Sequence, residues 1–419
     1  MKSKLLKILL TSIAFVVVTN RADEIIDWNQ HLLESALTAK SSPLLTTRIG
    51  AIVQAAVFDA VNGIERKYEP IHVAPNAAAG ASRRAAAAHA AYTALVGLFP
   101  AQKTDLDAKL AASLNGIASG NARENSVSIA RGIDWGKKVG ADILAWRAAD
   151  GITPAPPGYF GTSGVGEWRA TPPGLLAAAA PQFATMETWV LDTQSQFRPA
   201  GPPALNSPQY TADYEEVRSK GAINSVTRSD DETTAAKFWN ASTVTYYWNS
   251  LACRLAQENN LTFTEEARML AQVNMALADG GIACWDAKYH YLFWRPITAI
   301  NLGDTDGNDD TPVDTTWTPL LTTPNHPEYP SGHSTTSGAA IQVLIGWFGD
   351  APFWIDSDIL PGVVRTFPSL SSARDEIADA RVFGGIHFRT ACDDGFATGA
   401  KVGQYVLENS LQRIHGQGN

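Results

Sequence analysis

The sequence predicts an all-α protein, and three observations carry that prediction. Apolar residues recur at three- and four-residue spacing through most of residues 24–149, and again over 231–258, 264–280, 284–300, 333–348, 371–383 and 393–409. No run of strand-type alternation competes with this periodicity. Between about 150 and 210, ten prolines from Pro154 to Pro208 leave no room for regular helices longer than two or three turns. The expected architecture is two packed helical bundles, 23–150 and 230–419, with a Pro-rich irregular connection over 151–229 draped between or over them.

Taken in order, residues 1–22 carry Lys2, Lys4 and Lys7, an apolar run from Ile8 to Val18, and small or polar residues up to Ala22. This reads as a signal peptide, so the protein is expected to be exported, periplasmic or secreted, and off the membrane after processing. The alternative is an N-terminal tether, because Asn20 and Arg21 are not the small residues a peptidase prefers. The stretch 24–149 reads as four or five helices, with an Ala-rich portion at 80–97 and start signals at Ser42-Pro43 and Asp105. A structureless connection as long as the Pro-rich one is usually a lid or a wrapping segment. Residues 301–316 hold Asp304, Asp306, Asp309, Asp310 and Asp314. Gly307 is misplaced for a helix–loop–helix calcium site and no glutamate stands at the twelfth position, which favours a solvated acidic loop. Cys253, Cys284 and Cys392 allow at most one disulfide and are too scattered for a zinc site; the plainer reading is three buried thiols.

The composition, 45% apolar and 18% charged, is that of a globular enzyme. A formal charge of −9 excludes general nucleic-acid binding. Taken globally, it also argues against an anionic ligand, yet three short segments point the other way. In the first, Lys288 to Pro296 (KYHYLFWRP), seven residues separate Lys288 from Arg295, two helical turns that would aim both cations from one face. Trp285 shares that face, and His290 lies on another and reads as structural. In the second, Asn325 to Ser337 (NHPEYPSGHSTTS), Pro330 ends an extended stretch and Ser331-Gly332-His333 opens a helix. Ser331 can cap it, Gly332 lets a ligand approach the backbone, and helix N-termini bind anions. His333 in the first turn can exchange a proton with whatever binds. In the third, Arg381 to His387 (RVFGGIH), Gly384-Gly385 breaks a helix and lets Arg381 and His387 converge.

The window 284–389 holds 13 acidic and 6 basic residues, but the stretches 288–296, 330–333 and 381–387 contain no carboxylate. Three cations, a hydroxyl, a helix-terminal amide and two histidines complement a tetrahedral oxyanion. The spacing of Lys288, Arg295-Pro296, Pro330-Ser331-Gly332-His333, Arg381 and His387 resembles the signature shared by vanadium-dependent haloperoxidases and the phosphatidic acid phosphatase superfamily. The helix at Arg48–Asn62, Thr171-Pro172-Pro173 and Phe197-Arg198-Pro199 look like the bacterial haloperoxidase branch.

The resemblance implies vanadate as cofactor, with His387 as its axial ligand and Lys288, Arg295, Ser331, Gly332 and Arg381 around its equatorial oxygens. It implies His333 as the acid–base group and hydrogen peroxide and halide as substrates, with Lys288 polarising the bound peroxide. A homo-oligomer is among the assemblies it allows. His326 stands where the family's bromoperoxidases tend to have histidine and its chloroperoxidases phenylalanine, which favours bromide and iodide. The alternative is a histidine-dependent acid phosphatase with His387 as nucleophile. Trp285, chain length and the lack of membrane spans tilt toward the haloperoxidase. Two departures from the pattern stand out: Ala380 replaces a serine and Ala391 replaces an aspartate, leaving a backbone carbonyl, Asp393 or Asp394 as candidate partners for the second ring nitrogen of His387.

Overall fold

The structure, a computed structural model, describes residues 23–120 and 123–414, so the expected signal at 1–22 lies outside the described residues. The first half builds α1 (Glu24–Thr38), α2 (Pro43–Glu65), α3 (Arg83–Leu98), α4 (Lys103–Ser119) and α5 (Ser126–Arg147). All of these but α4 start where the sequence supplies a side-chain cap: Ser42 accepts from the Leu45 amide ahead of Pro43, and Asn125 accepts from the Ser128 amide. Helix α2 is long and apolar enough to cross a membrane, but it is buried in the core.

The connection after α5 carries a single short 3-10 turn, Pro181–Thr185, before α6 (Pro208–Gly221). Helix α6 was not expected within 151–229. Ser207 caps it and Pro208 occupies its first turn, where a missing amide costs nothing, so the last proline of the run starts a helix. Phe183 and Met186 of the connection are buried against Ile282, Cys284 and Trp285, so this segment covers one side of the region that follows.

The second half comprises α7 (Asp230–Ala241), α8 (Val244–Glu258), α9 (Phe263–Tyr291), α10 (Pro296–Asn301), α11 (Gly332–Phe348), α12 (Ala373–Phe383) and α13 (Arg389–Asn409). Two boundaries differ from expectation. The run 231–258 splits at Ser242, because Thr243 caps a new helix. The separately expected 264–280 and 284–300 are instead one 29-residue helix, α9, and a short α10. Leu292 closes α9 in the left-handed conformation (φ 50°), and Pro296 disfavours helical backbone at Arg295. A two-stranded hairpin, β1 (Phe353–Asp356) with β2 (Val364–Phe367), corrects the expectation of no strands. At four residues each, its strands are too short for alternation to register.

One hydrophobic core runs through both halves, joining Trp28, Leu32 and Phe58 to Trp239, Trp248 and Met269. Helix α9 passes through it, buried on nearly every face; Asn249 and Asn274 exchange amide hydrogen bonds of 2.8 and 3.1 Å beside it. Helices α11 and α13 meet backbone to backbone, since a Cβ at Gly399 would collide with the Thr335 carbonyl. That close packing brings the start of α11 and the turn before α13 to the C-terminal end of α9. The acidic loop spends its carboxylates locally: Asp306 accepts from Asn308 and Thr311, and Asp314 from Thr316. Among the described residues no acidic or histidine cluster could hold a metal ion by itself, and the three cysteines are free and buried.

Candidate functional site

The three sequence clusters meet where α9 ends. Lys288, Arg295, Ser331, Arg381 and His387 are buried, while Gly332 and His333 are half-buried at the opening. Lys288 sits on the last turn of α9, with its ammonium 5.6 Å from the Trp285 ring centre, as their shared helical face requires. The Trp285 indole is fixed from the other side by donating to the Ala179 carbonyl of the Pro-rich connection at 3.1 Å. Arg295 does not share the α9 stripe. It reaches the site from the N-cap of α10, after the chain has turned at Leu292. Ser331 caps α11, accepting from Ser334 at 3.4 Å, so the first-turn amides of that helix face the site. Arg381 comes from the end of α12 and His387 from the turn that follows. Gly385 makes that turn with φ 75° while packed against Gly221 and Pro319, where a side chain would clash.

Among the described residues the cations find neutral partners and no ion-paired carboxylate. The Lys288 ammonium donates to the Pro327 and Glu328 carbonyls, both at 2.8 Å. Arg295 donates to the His326 carbonyl at 2.9 Å and the Ile386 carbonyl at 2.7 Å, and its Nη1 lies 3.1 Å from His387 Nε2. Arg381 Nη1 is 3.5 Å from Asn240 Oδ1, and its buried Nε has no partner. Burial, with Arg295 adding to it, holds Lys288 down to about 7. Burial likewise lowers Arg295 to about 9 and Arg381 to about 10. His326, His333 and His387 fall well below the usual histidine range, through burial first and the neighbouring cations second. All three imidazoles are therefore neutral near pH 7.

The segment NHPEYPSGH contributes a residue not expected at the site. Glu328, fully buried, accepts from His387 Nδ1 at 2.8 Å and from the Phe388 amide at 3.0 Å through the same carboxylate oxygen. Burial pushes its carboxyl up to about 7, with Arg295 and Lys288 opposing. The partner of His387 is thus neither Asp393 nor Asp394. Asp394 accepts from the Tyr329 hydroxyl at 2.5 Å, and Asp393 lies 3.8 Å from Arg374. Asn240 at the end of α7 was also unexpected, and no motif marks it. Glu328 stands two residues before Pro330 inside the segment Asn325 to Ser337, but no local pattern ties it to His387. His326 lies beside the cage, its ring 4.8 Å from Trp285 and its Nδ1 2.9 Å from Arg295 Nη2. His290 is exposed, edge-on to Tyr291, and away from the cage.

A family model described as the VCPO second helical-bundle domain matches residues 268–416, the part of the chain that supplies the cage. Vanadium chloroperoxidase of Curvularia inaequalis is 28% identical over 264 residues, covering 47% of this chain and 43% of that protein. The match thus spans less than half the length of that relative. Among solved structures, a bacterial vanadium-dependent iodoperoxidase superposes with a TM-score of 0.79 at 28% identity, covering 94% of this chain and 98% of that one. A holo-type bacterial vanadium-dependent chloroperoxidase shares the fold, with a TM-score of 0.73 at 19% identity, covering 93% and 98% of the two chains.

Proposed function

We propose that this chain, which is similar in sequence and fold to vanadium-dependent haloperoxidases, binds vanadate in the cage and uses hydrogen peroxide to oxidise halide to hypohalous acid, bromide and iodide ahead of chloride. The observation that carries this reading is a charge deficit: three buried cations against one carboxylate, itself engaged by a histidine. Buried charge without compensation is expensive, so such a cage is built for an anion brought from outside.

The donors fit vanadate. Arg381 Nε is buried without a partner, Ser331 opens α11 with its first-turn amides unpaired within the helix, and His387 offers a ring nitrogen whose lone pair here accepts from Arg295 and would turn to the metal. That last point follows from Arg295: a guanidinium can only donate, so at 3.1 Å it favours His387 Nε2 as acceptor. Lys288, Arg295, Arg381, Ser331 and the Gly332 amide would hold the oxyanion, and His387 would ligate the metal. When bound, vanadate supplies a Lewis acid that activates peroxide without a change in oxidation state.

The chain's own residues provide the proton handling. His333, neutral and half-buried at the opening, is placed to take a proton from peroxide as it enters. Lys288, held over Trp285 and anchored by two carbonyls, keeps its remaining N–H to polarise the oxygen that halide attacks. His326 beside Trp285 supports the halide order, since it puts a polar ring where phenylalanine would leave an apolar wall. The basic and apolar residues at 1–22 support export of the chain.

The test is to load the purified protein with orthovanadate and follow peroxide- and halide-dependent halogenation of a dye, in parallel with phosphate release from an aryl phosphate. Vanadate-dependent halogenation with iodide and bromide is expected. Robust phosphate release without halogenation at any halide would overturn the reading in favour of a phosphatase.

A further inference from the structure

We propose that Glu328 is the positioning residue that holds His387 in the tautomer an oxyanion ligand needs, in place of the aspartate whose position Ala391 occupies. The inference rests on the oxyanion reading of the cage. A histidine whose Nε2 is to coordinate must carry its proton on Nδ1, and a fixed acceptor there sets both tautomer and ring orientation. The acceptor is a single oxygen of Glu328 that faces two donors, His387 Nδ1 at 2.8 Å and the Phe388 amide at 3.0 Å. The amide has no other protonation choice, so it fixes an oxygen at that point, and that oxygen in turn demands Nδ1–H. Arg295 Nη1, 3.1 Å from Nε2, favours the same tautomer from the other side of the ring without fixing it, since the guanidinium already donates to the Ile386 carbonyl.

Glu328 also joins all three clusters. Its backbone carbonyl accepts from Lys288, its carboxylate holds the 387–388 turn, and the chain from it runs through Tyr329 and Pro330 into the Ser331 cap. Ala391 is buried, and its carbonyl accepts from the Ser331 amide at 2.8 Å, so position 391 keeps a backbone role while offering no carboxylate. The acidic group that serves His387 thus comes from the loop before α11 and not from the start of α13.

The experiment is nitrogen-15 NMR of the histidine rings in vanadate-free protein, with the His387 signals assigned by their loss in His387→Ala, together with orthovanadate titration by calorimetry. The wild-type His387 ring is expected as the Nδ1–H tautomer. Glu328→Gln, which retains an oxygen for the Phe388 amide, should preserve it. Glu328→Ala should mix the tautomers and raise the orthovanadate Kd by ~10–100-fold. Adding Ala391→Asp to Glu328→Ala should recover much of that loss; a double variant no better than the single one would remove the exchange with position 391. A wild-type Nε2–H tautomer would overturn the proposal whether or not any variant folds. So would a folded Glu328→Ala protein with unchanged tautomer and Kd. If the Nδ1–H tautomer depends on Glu328 but the vanadate-loaded protein halogenates nothing, the proposed activity fails and the positioning role stands.

Discussion

Two groups of buried cations lie along α9, and they are satisfied in opposite ways. Beside α2 and α5, Arg48 and Arg147 share Asp150 at 2.7 and 3.2 Å, and Arg147 also donates to the Glu187 and Thr188 carbonyls. Arg147 stacks on Trp189, and Asp279 of α9 accepts the amides of Trp189, Val190 and Leu191. Two arginines thus meet two carboxylates, and the result pins the Pro-rich connection onto α9. At the end of the same helix, Lys288, Arg295 and Arg381 form no ion pair with a carboxylate among the described residues, and the nearby Glu328 is turned toward His387. Comparable burial with balanced charge makes a clamp. With unbalanced charge it makes a binding site.

The sharpest way to break this contrast is to unbalance the clamp. Asp150→Ala leaves two guanidiniums buried without their shared acceptor and should cost about 3–5 kcal/mol in denaturant unfolding; a cost near zero would mean that the network is ornamental. The mirror experiment relieves the cage. Arg381→Met should leave stability in the absence of oxyanions unchanged or higher, because a repelling charge is gone. It should also weaken orthovanadate binding by ~10–100-fold, the loss of a charge-assisted hydrogen bond of roughly 1.5–3 kcal/mol. A large loss of stability in that variant would place Arg381 with the structural arginines.

A third test follows the protons. Lys288, held down to about 7, is partly protonated near pH 7.5 and completes its protonation when an anion sits beside it. Binding of sulfate, which does not itself titrate there, should take up a measurable fraction of a proton per site, read from calorimetry in two buffers of different ionisation enthalpy. Linkage then makes sulfate bind more tightly as pH falls from about 8 toward 7. Proton release, or tighter binding at higher pH, would contradict the assignment. The smallest effect belongs to His326→Phe, which should shift the halide order toward chloride by less than ~10-fold while leaving vanadate affinity nearly unchanged.

The chemistry of the cage was legible in sequence because its parts are local. Ser331 caps the helix that Gly332 and His333 begin, and Gly384-Gly385 visibly breaks another, so two segments carry their own geometry. Lys288 and Trp285 share a face because α9 is regular there. What could not be read was anything set by tertiary packing. Arg295 seemed to continue the Lys288 stripe, and only the left-handed Leu292 shows that the chain turns first. Glu328 belongs to His387 through a contact spanning 59 residues, which no periodicity encodes. The clamp escaped for the same reason: Arg48 and Asp150 are 102 residues apart. Helix α6 and the hairpin were missed at the local level, where a run of prolines and two very short strands hide the signal.

On the proposed function, the charge imbalance at the end of α9 receives a tetrahedral oxyanion ligated by His387. Calorimetric titration of the purified protein with orthovanadate tests it directly. One equivalent should bind per chain, and none measurably in a folded His387→Ala protein. Absence of saturable binding to the wild type, or undiminished binding to the variant, would contradict it.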